Sequence, residues 1–208
     1  MKIIQAKAEP AQEIDAREIM SRIERAGRVC YKSESNISDT SAEKFIANII
    51  RSGHESVIEH AAVTFKIICD RGVTHEIVRH RIASYSQEST RYCDYSNEKF
   101  SGELTFIKPC FWSDDDENFL LWKSAMEEIE KIYLQMRKNG VRPEQARSIL
   151  PNSLKTEIFV TMNLREWRHF LKLRTAPRAH PQMREVAIQI YKVLSEKLPI
   201  IFSDINPE

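Results

Sequence analysis

Glycine is scarce in this chain: five occur in 208 residues. They form neither G-x-x-x-x-G-K-S/T nor G-x-G-x-x-G. This excludes a Walker phosphate loop and a dinucleotide-type Rossmann turn, which need glycine where backbone closely approaches phosphate. It also leaves little material for long flexible linkers. No G-x-S-x-G is present, so the common serine nucleophile elbow is absent too.

Cysteine is equally sparse. Cys30, Cys69, Cys93 and Cys110 form no C-x-x-C pair and fit no zinc spacing. Reduced, mostly buried thiols in a cytoplasmic protein are expected. Cys93 lies two residues from Arg91. Without a neighbouring base it is a poor nucleophile candidate. No apolar run approaches the ~20 residues of a membrane span. The opening MKIIQAKAEP is too polar for a signal peptide. No membrane association is expected.

Excess charge of one sign is also missing. The formal net charge is +1, whereas a protein built to hold nucleic acid carries a strong basic excess. No nucleic-acid partner is expected, and any bound anion is small and held locally. Hydrophobic residues make up 42% and charged residues 29%, enough for a core in one domain spanning 1–208.

The elements read as mixed α and β. Residues 1–8 and 61–69 carry strand patterns, the latter through Val63, Phe65, Ile67 and Cys69. Helices are expected over 12–26, ending near Gly27, and over 40–52, ending at Gly53. A short helix over 74–81 is followed by 82–91, too polar for a good helix or strand. Residues 92–108 read as extended. The strongest helix starts at Ser113 as N-cap, with three aspartates and Glu117 in its first turn, and closes at Gly140. Its stripe of Phe119, Trp122, Met126, Ile129, Tyr133 and Met136 suits either an ordinary core or a subunit seam. Pro143 opens a short helix to Leu150, 154–162 reads as a strand, and 164–173 and 183–197 as helices.

Chemistry concentrates in a few places. The segment GHESVIEH, 53–60, misses the H-E-x-x-H zinc spacing because its second histidine comes six residues after the first. No metal is expected. The segment RHRIASYSQESTRY, 79–92, packs Arg79, His80, Arg81 and Arg91 among serines and Gln87. More arginines follow at 147, 165, 174 and 178. Guanidinium groups grip phosphates and planar carboxylate or imide edges with two parallel hydrogen bonds. A polar stretch with few lysines or acids reads as a pocket lining for phosphorylated small molecules rather than as a solvated face.

Arg79-His80-Arg81, seven residues, Ser89, one residue and Arg91 make RHR-x7-S-x-R. This resembles the signature of the flavin-dependent thymidylate synthases. GHESVIEH, RPEQARSILP, NLREWRHFLKLR and AHPQMREVA resemble further segments of that family, in order. The resemblance implies an α/β (α+β) fold particular to the family: a single domain with an antiparallel or mixed sheet flanked by helices. It further implies a homotetramer with sites shared between subunits. The implied reaction is reductive methylation of dUMP to dTMP, with methylenetetrahydrofolate as carbon donor, FAD as hydride carrier and NADPH as reductant.

The residue roles below are those that the resemblance implies. Ser56, Arg79, His80, Arg81, Gln87, Asn163, Leu164, Arg165 and His169 contact FAD. Glu76, Ile77, Val78, Arg79, Gln87, Glu88, Ser89, Thr90, Arg91, Arg147 and Arg174 contact dUMP, with Arg147 reaching it from a neighbouring subunit. His54 borders the folate or NADPH approach. Arg174 is the catalytic residue, favouring ionisation at uracil N3. Ser89, with no paired base, is a dUMP ligand rather than a nucleophile.

Overall fold

The structure, a computed structural model, describes residues 1–207. Six strands and eight helices alternate along it. In chain order they are β1 (Lys2–Ile4), β2 (Lys7–Pro10), α1 (Ala16–Val29), α2 (Ser41–Arg51), β3 (Ala62–Asp70), α3 (Arg71–Ile77), β4 (Ala83–Gln87), β5 (Thr105–Ile107), α4 (Glu117–Lys138), α5 (Pro143–Ala146), β6 (Lys155–Asn163), α6 (Leu164–Arg174), α7 (Pro181–Lys197) and α8 (Pro199–Phe202). One sheet has the order β2-β3-β6-β4, and β1 pairs with β5 in a second. That second pair is parallel, with Ile3 opposite Phe106. The expected mixed α/β class is present. Among the described residues no helix is long and apolar enough to cross a membrane.

The chain divides into two compact units. The first comprises Met1–Lys7, Ile67–Arg79 and Ser86–Ile158; the second comprises Ala8–Lys66, His80–Tyr85 and Phe159 onward.

In the first unit α4 supplies the core. Met126 and Tyr133 join Tyr95, Leu104, Phe106 and Leu154, with Trp122, Ile129 and Met136 packed against them. The apolar stripe therefore contributes to this unit's own interior. The opposite side of α4 leaves Leu120 and Leu121 exposed. Helix α4 also starts later than expected: Asp116, not Ser113, caps it by accepting from the Asn118 amide. Gly140 follows with φ +83, a left-handed conformation that glycine adopts without a Cβ clash. Between 92 and 108 only β5 is a strand. The rest is turns and a short 3-10 segment, Glu98–Phe100, so the expected extended run is mostly absent.

In the second unit α6 packs on β3. The Trp167 indole donates to the Val63 carbonyl at 2.9 Å, and its ring meets Phe65 edge-on at 5.2 Å. Thr64 and Thr161 share a hydrogen bond of 2.9 Å between β3 and β6. Helices α1 and α2 pack together. Glu24, 2% exposed, accepts from Arg28 on its own helix and from Ser41 at the start of α2. Gly27 lies inside α1 rather than ending it. A Cβ there would stand 2.6 Å from the Phe45 ring, so the glycine serves the close approach of α2.

Two further expectations change. The polar stretch after His80 does contain a strand, β4, at the end of the sheet order. An outer strand buries little side-chain surface, so polar residues suffice there. Of the cysteines only Cys69 is fully buried; Cys30 and Cys110 are exposed, and all four are free thiols.

Candidate active site

Helix α6 organises the second unit's polar cluster. Asn163 caps it, its side-chain oxygen accepting from the Glu166 amide at 2.8 Å. Leu164, Trp167, Phe170 and Leu171 bury one face. The remaining positions present Arg165, Glu166, His169 and Arg174. His80, 4% exposed, lies against this helix with its ring 4.8 Å from that of Phe170.

Both His80 ring nitrogens are engaged. Arg174 donates from Nε to His80 Nε2 at 3.1 Å. A guanidinium only donates, so Nε2 carries the lone pair. Nδ1 then carries the proton and donates to Glu166 Oε1 at 3.1 Å. The imidazole is therefore neutral. Burial pushes its pKa below the ordinary histidine value; Glu166 opposes this and the Arg174 cation adds to it. The Tyr85 hydroxyl donates to the His80 carbonyl and fixes the backbone here.

His80, Glu166 and His169 offer ligand atoms within 4.8 Å of one another. Their chemistry does not favour a cation. The Nδ1 proton occupies one ligand position, and the Arg174 guanidinium sits on the same ring. A metal ion would meet a fixed positive charge across one imidazole.

Beside the cluster, within the same unit, lies a cleft of about 550 Å³. Its lining includes Asn163, Arg165, Glu166, His169 and Lys172, together with Glu55, Glu59 and Ile82. Arg165 pairs with Glu59 at 2.6 Å. His54 and Ser56 are exposed at the start of the adjoining 3-10 segment Glu55–His60. Arg81 is exposed. Leu164 is fully buried, its amide donating to the Ala61 carbonyl at 3.0 Å. Unlike its neighbours Asn163 and Arg165, it is not part of the cleft lining.

The RHR motif divides between the units, with Arg79 in the first and His80 and Arg81 in the second. In the first unit, Glu76 and the buried Ile77 close α3, with Val78 and Arg79 exposed after it. Gln87 turns inward, donating to Thr74 at 3.1 Å and to Thr156 at 3.3 Å. Glu88 is clamped by the Tyr95 hydroxyl at 2.7 Å and the Lys155 ammonium at 2.9 Å. Ser89 accepts from the Arg91 amide at 3.3 Å, and Thr90 is buried. Arg91 reaches Glu144 on α5 at 3.5 Å, and Arg147 is exposed on the turn that follows. Ser89 therefore has a backbone amide beside it. Burial raises the Cys69 and Cys93 thiols above the ordinary value, away from thiolate character.

Sequence reasoning missed Glu166 and Arg168. Asn163 and Glu166 have the spacing of a capping box, in which the glutamate would reach back to the N-cap amide. Here its carboxylate goes to His80 instead. Arg168, 2% exposed, joins Glu55 to Asp204. Its basic character in a surface-like pattern gave no sign of burial.

Residues 14–200 match the family model of Thy1, described as thymidylate synthase complementing protein. The chain belongs to the flavin-dependent thymidylate synthase family. It is 42% identical over 182 residues to the flavin-dependent thymidylate synthase of Pyrococcus furiosus, covering 87% of this chain and 72% of that one. It is 43% identical over 166 residues to the Pyrococcus abyssi protein of the same name, covering 79% of this chain and 66% of that one. Among solved structures, a UMP/dUMP methylase PolB from Streptomyces cacaoi bound with 5-Br UMP superposes with a TM-score of 0.78 at 22% identity. That alignment covers 98% of this chain and 95% of the other, and it establishes a shared fold.

Proposed function

We propose that the chain carries out reductive methylation of dUMP to dTMP, taking the carbon from methylenetetrahydrofolate and reducing equivalents from NADPH through FAD. The observation that carries this reading is Arg174: a guanidinium oriented by a buried neutral imidazole, in a chain of this family. We further propose a cytoplasmic homotetramer whose sites gather residues from several subunits.

The α6 cleft has donor chemistry suited to FAD. The helix N-terminus, with Arg165 beside it, suits a diphosphate, and Lys172 adds a cation from the last turn of the helix. Its volume lies within the roughly 300–1,000 Å³ of small-molecule sites. Ser56, His80, Arg81, Asn163, Arg165 and His169 would hold the flavin, with the buried Leu164 supporting the helix start beneath them, and Arg79 and Gln87 also belong to this set. When bound and reduced, it supplies the hydride.

The nucleotide falls to Glu76 through Arg79, to Gln87 through Arg91, and to Arg147 from a neighbouring subunit. Arg91 and Arg147 match phosphate as rigid forks. Ser89 orients the substrate by hydrogen bonding. His54 borders the approach of folate or NADPH. Arg174 stabilises the anion formed on loss of the uracil N3 proton. The stabilisation is strongest where water is excluded. The negative charge raises electron density at the ring carbon that is alkylated. Arginine keeps its charge when partly buried. No activated thiol is needed.

The test is dTMP formation with the complete mixture and with FAD, NADPH and methylenetetrahydrofolate omitted in turn. Product from the complete mixture alone is expected. A protein that binds FAD and dUMP yet forms no dTMP would instead be a nucleotide- and flavin-binding module without turnover. One that binds no FAD overturns the reading altogether.

A further inference from the structure

We propose that Glu166 is a positioning residue for Arg174, acting through the His80 ring. The inference rests on the reading of Arg174 as the cation that activates dUMP.

The geometry leaves one consistent arrangement of protons. Glu166 Oε1 lies 3.1 Å from His80 Nδ1, and Arg174 Nε lies 3.1 Å from His80 Nε2. A neutral imidazole has one donor and one acceptor. The hydrogen bond made by one ring nitrogen decides which of the two carries the proton. The carboxylate therefore holds the proton on Nδ1 and turns the Nε2 lone pair to the guanidinium. The other tautomer would set an imidazole N–H against the Arg174 Nε–H, donor against donor. A doubly protonated ring would add like-charge repulsion. Either state pushes the guanidinium off its present plane.

Glu166 is well placed to impose this choice. It is 9% exposed and lies two helical turns before Arg174 on α6. Its own amide is fixed by the Asn163 cap. Phe170 restrains the intervening ring from one side at 4.8 Å. A carboxylate, a ring and a guanidinium thus form one hydrogen-bonded line, of which the carboxylate alone has no part in the proposed function.

The test compares Glu166→Leu, Glu166→Gln and Arg174→Ala in the flavin-loaded enzyme. Leucine has no acceptor and should lower kcat roughly 10- to 100-fold, the scale of a lost hydrogen bond to a charged group. KM for methylenetetrahydrofolate should stay near wild type, and kcat is expressed per bound flavin, read from its absorbance, so that any loss of flavin is counted separately. Glutamine keeps a side-chain oxygen for Nδ1–H and should restore kcat to within a few-fold. Nitrogen-15 NMR of histidine-labelled protein reads the tautomer directly. His80 should be protonated at Nδ1 in wild type and Glu166→Gln, and should shift toward Nε2 protonation in Glu166→Leu. Wild-type kcat or an unchanged tautomer in Glu166→Leu overturns the proposal, as does a glutamine variant no better than leucine. Wild-type turnover in Arg174→Ala would instead overturn the parent reading of Arg174, which separates the two failures.

Discussion

Arg168 grips Asp204 with two parallel hydrogen bonds, Nη1 to Oδ1 at 2.6 Å and Nη2 to Oδ2 at 2.7 Å. Its Nε donates to Glu55 at 3.0 Å, and Nη1 also donates to the Ile201 carbonyl. A fully buried guanidinium thus ties the segment carrying His54 and Ser56 to the chain's last turns. Removing this side chain deletes its hydrogen bonds to Glu55, Asp204 and the Ile201 carbonyl, each worth about 1.5–3 kcal/mol for a charged donor where buried and less toward the half-exposed Asp204. Arg168→Ala is expected to lose stability on this scale in urea unfolding. Asp204→Asn should lose less, because the amide oxygen still accepts and the site is half exposed. Equal losses in the two variants would count against this order.

Arg174→Ala should abolish dTMP formation while flavin remains bound, measured by product formation and visible absorbance. Arg174→Lys should fail as well. A lysine has no planar fork and no Nε–H directed sideways to His80 Nε2. Substantial turnover in the lysine variant would mean that charge alone suffices.

Asp94 predicts an acid response. Hydrogen bonds from Arg137 at 2.8 and 2.6 Å lower its pKa to about 2. A depressed carboxylate stabilises the fold fully above its unfolded value of 3.8 and loses that contribution as pH falls through about 2. With the Ser96 hydrogen bonds sharing in the shift and solvent screening the site, the Arg137 pair contributes on the order of 1 kcal/mol at neutral pH. Arg137→Ala should therefore be less stable than wild type by up to about that amount at pH 7, and the difference should shrink toward pH 2. Chemical denaturation at several pH values checks both points.

Gly27→Ala should destabilise the packing of α1 on α2. The new methyl would stand 2.6 Å from the Phe45 ring and 2.9 Å from Val57. Overpacking of this kind costs about 1–3 kcal/mol. Thermal melting should show the loss, and Gly27→Ala with Phe45→Leu should recover part of it.

Much of the fold was legible in the sequence because periodicity marks buried faces. Helices α2, α4, α6 and α7 and strands β3 and β6 fall close to their expected ranges. Boundaries moved where side chains compete for one role: Asp116 rather than Ser113 caps α4, and Gly27 serves a close approach rather than a helix end. Strand β4 escaped because an outer strand needs no apolar alternation. The RHR-x7-S-x-R motif was visible because its residues are near neighbours in the chain. The Glu166–His80–Arg174 line was not. His80 lies 86 residues from Glu166 and 94 from Arg174, and no local pattern encodes a contact across such distances.

Helix α6 places its chemistry and its core anchors on the same turns. Trp167 and Phe170 are wholly buried, while Glu166 and His169 beside them line the cleft. A slip of one residue along this helix would rotate the set by about 100°, sending carboxylate and imidazole into the hydrophobic interior and indole into solvent. The geometry of this polar cluster therefore has no melting point of its own. Heating should extinguish the site and dismantle the packing beneath α6 in a single event, with no warm, folded, inactive state between.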